Sequence, residues 1–143
     1  MRINRFVLDA NIWVSYFITN IYGYLYQIVS ENKLSLFYCQ ELILELERVL
    51  NYDHIKKYSV NIKQSIQLTQ QLATEFELTY PIKNYIPGDE KDNYIYIVAL
   101  ALQTNSGFIS SGDKHILSQK ENLETRFKKL RILTKAEFQK MFD

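Results

Sequence analysis

The sequence predicts an α/β fold, a three-layer sandwich in which a central, mainly parallel sheet of about five strands is flanked by helices. Short apolar runs, such as residues 3–8 and 34–38, alternate with longer segments whose apolar residues recur at helical spacing. Strands that alternate with helices are typical of parallel sheets covered on both faces. With 143 residues, of which 47% are hydrophobic, the chain can bury a substantial core, and we expect residues 1–143 to form one domain.

In the first half of the chain, apolar spacing changes between that of a strand and that of a helix several times. The predicted elements are, in order, a strand at residues 3–8, helical spacing from 12 to 29, a strand at 34–38, a helix at 41–50, a polar turn at 51–58 and a long amphipathic helix from 59 to 76. Ser59 is a favourable N-cap for the last of these helices.

The second half continues the alternation. The predicted elements are a strand at residues 78–82, a turn at 86–89, a helix opened by 89–93 with an almost wholly apolar body at 95–102, a strand at 108–109, a helix from 113, a strand at 130–133 and a terminal helix. Thr134 and Glu137 have the spacing of a capping box. The helix that they begin is expected to bury Phe138, Met141 and Phe142.

Three acidic residues lie at the ends of predicted strands or at the start of a predicted helix, where a catalytic or binding site could form. Asp9 comes directly after the first strand, and Asp113 follows the strand at 108–109 in the same strand–acid–helix pattern. Because the carboxyl ends of parallel strands share one edge, where ligands collect, both side chains are expected there. Asp92 opens a buried helix, where a carboxylate needs a cationic partner. Helix capping is the alternative role for Asp9, and the helix dipole explains Asp89 and Glu90 better than it explains Asp92.

The helix at 41–50 carries three acids of different placement. A helical wheel sets Glu45 at the edge of the apolar stripe and Glu47 on its opposite flank, whereas Glu41 lies further out. Geometry alone therefore leaves Glu45 and Glu47 as boundary candidates. The alternative is a solvated face on which Glu45 or Glu41 pairs with Arg48, a contact worth roughly 0.2–0.5 kcal/mol.

Other polar and aromatic residues give weaker signals. The pair Asp53-His54 is interpreted as solvated, and Tyr24 and Tyr96 as core residues on apolar stripes. The remaining candidates are His115 as a phosphate contact and a basic cluster that serves either solubility or contact with an RNA backbone, formed by Lys128, Lys129 and Arg131.

Composition excludes several classes of protein. The net charge of +1 argues against a domain that binds nucleic acid by charge alone. Cys39 is the only cysteine, which excludes an intramolecular disulfide and a cysteine-based zinc site, so we expect a reducing, cytoplasmic compartment. The apolar run at residues 94–102 is much shorter than the roughly 20 residues of a membrane span, and the first residues lack a signal-peptide pattern.

Four motifs together resemble the PIN-domain nucleases, most closely the PIN-family toxin components of bacterial toxin–antitoxin systems. They are Leu8-Asp9-Ala10-Asn11, Glu45, Asp92-Asn93 and Ser111-Gly112-Asp113-Lys114. The ordered set of acids carries the resemblance, which covers essentially the whole chain, and it selects Glu45 over Glu47. It implies a PIN-like fold and a metal-dependent endoribonuclease that hydrolyses single-stranded RNA. The chain departs from the family at Ala10, where many members carry a hydroxyl residue.

Four carboxylates at one edge repel one another, and a divalent cation relieves that repulsion. Oxygen ligands suit Mg²⁺ or Mn²⁺, which lower the pKa of a bound water and offset charge on a phosphodiester. The catalytic acids implied by the resemblance are Asp9, Glu45, Asp92 and Asp113. Metal binding is expected of Asp9, Asp92 and Asp113, with Glu45 completing the ligands or orienting water. Asn11 and Ser111 are candidates to support the ligands, and helix-cap or turn duty explains both equally well.

The resemblance also implies partners. These are an RNA substrate, a cognate antitoxin with a segment that covers the acidic groove, and a second copy of the chain, because PIN toxins are commonly dimers. The main alternative is a non-catalytic RNA-binding or scaffold protein with a degenerate site, which Ala10 favours and the four acids do not. A phosphatase with an Asp nucleophile fits less well, because that pattern needs a second Asp where this chain has Asn11.

Overall fold

A computed structural model describes residues 3–82 and 94–143. Within these ranges five parallel strands form one sheet in the order β3-β2-β1-β4-β5, which confirms the predicted α/β class and strand number. The strands are β1 (Asn4–Leu8), β2 (Leu34–Tyr38), β3 (Thr74–Glu75), β4 (Phe108–Ser110) and β5 (Arg131–Leu133). The helices are α1 (Ala10–Ile18), α2 (Tyr22–Ser30), α3 (Gln40–Leu50), α4 (Asp53–Lys56), α5 (Ile62–Leu72), α6 (Ile95–Gln103), α7 (Lys114–Ser118), α8 (Lys120–Arg126) and α9 (Lys135–Lys140).

The central strand β1 is where the order of the sheet reverses. Phe6 is in register with Leu36 of β2 on one side and with Phe108 of β4 on the other. The chain first adds strands beyond β2 and later adds β4 and β5 on the opposite side. The carboxyl ends of β1 and β4 therefore flank a topological switch point, which is where open α/β sheets bind ligands.

The core explains why these elements form. The side chains of residues 6–8 are fully buried, and the ring of Phe6 stacks on Phe108 at 4.7 Å and meets the edge of Phe138 at 4.9 Å. Helix α6 packs against β1 and β4 and is buried nearly all round, as its apolar sequence predicts. Helix α3 packs against α1 through its apolar stripe. The central strand and two helices thus hold the carboxyl edge in place.

Several predicted boundaries in the middle of the chain are wrong. Residues 51–58 contain the short helix α4, because the buried Ile55 anchors a segment that looks polar in sequence. Helix α5 is capped by Asn61, whose side chain accepts from the Gln64 N–H, and Ser59 instead has a positive φ of 55°. The helix ends at Leu72, short of the predicted residue 76.

The third strand is also misplaced in the prediction. It lies at Thr74–Glu75, whereas residues 78–82 are not a strand, although Leu78 and Ile82 are buried. Pro81 has no N–H for a sheet, so burial rather than strand pairing explains these apolar residues. The predicted turn at 86–89 and the polar helix opening at 89–93 lie outside the described residues.

The carboxyl-terminal elements agree more closely with the sequence. The side chain of Thr134 accepts from the Glu137 N–H and Glu137 accepts from the Thr134 N–H, which confirms the capping box of α9. Phe138 is fully buried as expected. Met141 is 39% exposed, because it lies one residue beyond the helix that was expected to turn it inward. No helix among residues 3–82 and 94–143 is long and apolar enough to cross a membrane.

Candidate functional site

Asp9 lies immediately beyond β1, at the switch point. Its backbone N–H donates to the carbonyl of Ser110 at 2.9 Å, so the β1–β4 ladder extends to this residue. Its side chain is only 7% exposed and acts as the N-cap of α1, with Oδ1 accepting from the Ala10 N–H at 2.8 Å. The capping role considered for Asp9 is therefore real, and it fixes the carboxylate at the edge of the sheet rather than removing it from that edge.

A second set of hydrogen bonds joins the turn after β1 to the turn after β4. The buried hydroxyl of Ser111 donates to Asp9 Oδ2 at 2.7 Å and accepts from the Asp113 N–H at 3.0 Å. Asn11 Oδ1 accepts from the Gly112 N–H at 2.9 Å, and its amide nitrogen lies 3.4 Å from Asp9 Oδ2. Asn11 and Ser111 thus brace the two turns against each other, which brings Asp9 and Asp113 to one place.

The environment of Asp9 raises the pKa of its carboxyl group. Burial is the largest cause, and the negative charges of Asp113 and Glu45 act in the same direction. The hydrogen bonds from Ser111 and the Ala10 N–H oppose them without cancelling them. A cation at this edge would offset the cost of ionising Asp9.

Glu45 faces the same edge from α3. Its side chain is 23% exposed, whereas Glu47 is exposed, so the fold places Glu45 rather than Glu47 toward the site. Arg48 Nη2 lies 2.6 Å from Oε1 and 2.5 Å from Oε2 of Glu45, which confirms the pairing considered from sequence. Because Arg48 is half exposed, this contact contributes at most ~1 kcal/mol, and a ligand can replace it.

Asp113, like Glu45, is partly exposed. It caps α7, with Oδ1 accepting from the His115 N–H at 2.8 Å. The side chain of His115 is exposed, and His115 bonds to Asp113 through its backbone N–H. Asp92 lies outside the described residues, so its predicted place in the site stays a prediction.

Sequence patterns missed one residue at this edge, Tyr96. It lies in the first turn of α6 and is partly buried, and its hydroxyl has no hydrogen-bond partner among the described residues. Burial and the charges of Asp9 and Glu45 raise its pKa, so it remains a neutral donor. Its position on an almost wholly apolar helix was the only available signal, and that signal indicates a core residue.

The basic cluster proposed from sequence lies at the other end of the sheet. Lys128, Lys129 and Arg131 line a pocket with Asn4 and Arg5, beside the amino ends of β1 and β5. A five-residue strand spans roughly 16 Å, so these cations are separated from the acidic edge by the length of the sheet. They do not contact a group bound between Asp9 and Asp113.

The donor set at the acidic edge fits a hard divalent cation in its chemistry. The three acids that the structure describes offer oxygen only, and three accepted protein hydrogen bonds leave the Asp9 carboxylate further acceptor capacity. Among residues 3–82 and 94–143, no three His, Cys, Asp or Glu side chains are close enough to hold an ion by themselves. Mg²⁺ commonly uses one or two carboxylates and completes its shell with water and phosphate, so a larger protein cluster is not required.

Comparison with known families identifies a match over most of the chain. Residues 5–115 match a family model described as PIN domain. No curated protein matches the chain.

Solved structures share the fold at low identity. A chain of VapBC2 from Rickettsia felis, bound to a DNA fragment from their promoter, is 10% identical, covers 91% of this chain and 98% of its own, and has a TM-score of 0.54. VapBC-1 from nontypeable Haemophilus influenzae is 15% identical, with 91% and 97% covered and a TM-score of 0.52. A domain of a functionally unknown protein from Methanocaldococcus jannaschii is 12% identical, with 92% and 90% covered and a TM-score of 0.51.

Proposed function

The chain belongs to the PIN domain family, and from this membership and its acidic edge we propose that it is a metal-dependent endoribonuclease that hydrolyses phosphodiester bonds of single-stranded RNA. The observation that carries the proposal is the buried carboxylate of Asp9. It is held by Ser111 at the switch point and lies within the field of Asp113 and Glu45. A buried acid with a raised pKa in such a place is a candidate for function.

The proposed metal ligands are Asp9, Asp113 and, outside the described residues, Asp92. A bound Mg²⁺ or Mn²⁺ supplies a water of lowered pKa and offsets negative charge on the phosphate. Ser111 and Asn11 hold the ligand carboxylates in position through the bonds described above.

Glu45 is proposed to orient the attacking water and accept its proton. It is partly exposed, so water can reach it, and it is close enough to Asp9 for its charge to be felt there. When the Arg48–Glu45 ion pair opens, the guanidinium of Arg48 can contact a phosphate oxygen of the RNA. A phosphate contact near the site is needed, because the basic pocket lies at the far end of the strands.

We further propose that the chain is the toxin of a toxin–antitoxin pair. Support comes from the VapBC assemblies that share its fold and from an acidic groove next to the site. The groove is lined by Gln40, Glu41, Leu44, Glu75, Phe76, Glu77, Leu78 and Tyr80. Leu44 is 65% exposed there, and Glu41 lies one helical turn before Glu45. A partner segment with apolar and basic side chains suits this surface, and it would reach the site along α3.

Reversing charge in the acidic groove is expected to weaken the partner. In the doubly substituted Glu75→Lys, Glu77→Lys protein, affinity for the protein encoded beside this chain should fall roughly 10-fold, because basic side chains would face like charge. RNA cleavage without the partner should be unchanged. Titration calorimetry of the purified pair measures the affinity, and the exposed Glu121→Lys on α8 serves as the control. Unchanged affinity in the double variant would remove the groove from the interface.

RNA cleavage tests the proposed activity directly. Purified protein is expected to cut a mixed-sequence single-stranded RNA with Mg²⁺ or Mn²⁺ and to stop when EDTA is added, because the carboxylates alone supply neither a water of lowered pKa nor a positive charge. Gel analysis of end-labelled RNA gives the rate. A folded protein that binds the RNA equally with and without EDTA, and never cuts it, would instead favour the non-catalytic RNA-binding module.

A further inference from the structure

The hydroxyl of Tyr96 is a buried donor that the proposed chemistry has not used. It is closed off from solvent and has no hydrogen-bond partner among the residues that the structure describes. Leaving such a hydroxyl unpaired costs free energy, so a partner is expected beyond the protein atoms that the structure describes. Most of the neighbouring positions on α6 are apolar, which makes the hydroxyl unusual on that surface.

Three observations place this hydroxyl beside the site. Tyr96 is in the first turn of α6, which packs against β1 and β4 and leads into β4, so this turn lies at the carboxyl edge. Among the charged groups that raise the pKa of Tyr96, Asp9 has the largest effect and Glu45 the next. Cys39 and Glu41 raise the pKa of Tyr96 less, and Tyr96 in turn raises the pKa of Arg48.

We propose that Tyr96 is a positioning residue whose hydroxyl donates a hydrogen bond to an internal water that is shared with the carboxylates of Asp9 and Glu45. The three side chains give such a water the two to four polar partners that buried waters have. Two groups that interact electrostatically but are too far apart for a direct bond are commonly joined in this way. The water ties Glu45, whose hydrogen bonds within residues 3–82 and 94–143 come from Arg48, to the braced pair of turns.

A double-mutant cycle without metal tests this network. Tyr96→Phe is expected to lower the melting temperature by roughly 2–5 °C. In an Asp9→Asn background the loss should shrink, because the shared water then contacts a neutral amide in place of a carboxylate and its hydrogen bonds weaken. Tyr24→Phe is the matched control: its hydroxyl donates to the Gln139 carbonyl, and its effect should be equal in both backgrounds. An equal effect of Tyr96→Phe in both backgrounds, or a higher melting temperature, would overturn the proposal.

Metal affinity supplies a second readout, which rests on the proposed function. Calorimetry with Mn²⁺ alone should show roughly 10-fold weaker binding in Tyr96→Phe and no change in Tyr24→Phe. Removing a group that orients a metal ligand typically lowers metal affinity by that factor or more. Wild-type affinity in Tyr96→Phe would overturn the positioning role. If the wild-type protein binds no Mn²⁺, the proposed function fails, and the metal-free cycle still decides the hydrogen-bond network.

Discussion

Replacing Asp9 with Asn is expected to reduce RNA cleavage by at least ~100-fold, the upper range for groups that only support a metal ligand. The substitution removes the carboxylate charge at the centre of the proposed site while keeping side-chain size. Single-turnover cleavage at saturating Mn²⁺ measures the loss. The exposed Asp53→Asn at the start of α4 is the matched control and should cut at the wild-type rate.

The same variant should change how stability depends on pH. The pKa of Asp9 is raised in the folded protein, so the fold keeps the proton at pH values where the unfolded chain has lost it. Its contribution to stability is therefore complete below about pH 4 and is lost as pH rises toward the folded pKa. Metal-free Asp9→Asn protein has no carboxyl group at this position and does not lose this stability. Its melting temperature relative to that of the wild type should therefore rise from pH 4 to 7.

Mn²⁺ gives the matching result at neutral pH. It should raise the melting temperature of the wild-type protein and leave that of Asp9→Asn nearly unchanged, because a ligand stabilises only the form that binds it. Full cleavage by Asp9→Asn, or an equal Mn²⁺ shift in both proteins, would show that the Asp9 carboxylate is not a ligand.

The second large effect is expected on α3. Glu45→Gln should lower the rate of the cleavage step roughly 100-fold or more, as typical for removal of a general base, whereas Glu47→Gln should cut normally. Both residues are on the same helix and the substitutions are identical, but Glu45 is partly buried toward Asp9 and Glu47 is exposed. The rate constant at saturating RNA separates this loss from weaker substrate binding.

Stability gives the control for that comparison. Because the Arg48 partner of Glu45 is half exposed, Glu45→Gln should change the unfolding free energy by no more than ~1 kcal/mol. Equal activity of the two variants would remove Glu45 from the catalytic group. A reduced rate in Glu47→Gln alone would place the general base on the opposite flank of the helix.

The positions of Asp9 and Asp113 could be predicted from sequence because a strand that ends on an acid leaves little freedom in a parallel sheet. The helical wheel leaves Glu45 and Glu47 both open, since it gives angles but not the depth of the neighbouring helix, and only the family resemblance selects Glu45. The strand at Thr74–Glu75 has two residues and hence no periodicity to detect. Residues 78–82 were mistaken for it because buried loop residues and strand residues have the same apolar character.

The remaining misses depend on packing across the chain. Tyr96 looks like a core residue because periodicity detects the apolar ring and not the direction of its hydroxyl. Sequence leaves the basic cluster at 128–131 open between solubility and contact with an RNA backbone, and only the strand direction shows that it lies at the edge opposite the acids. Sequence leaves the role of Ser111 open between a turn and ligand support, and its hydroxyl bonds both to the Asp113 N–H of the turn and to Asp9.

The brace between the two turns also determines when the site can form during synthesis. Ser111 and Asp9 are 102 positions apart in the chain, so the ribosome makes Asp9 long before its hydrogen-bond donor exists. At about 5–20 residues per second, the interval is roughly 5–20 s. Until residue 113 has emerged, a nascent chain contains the first acid but no assembled edge. If the chain is an RNA-cutting enzyme, the messenger that encodes it is therefore exposed to its activity only after β4 has paired with β1.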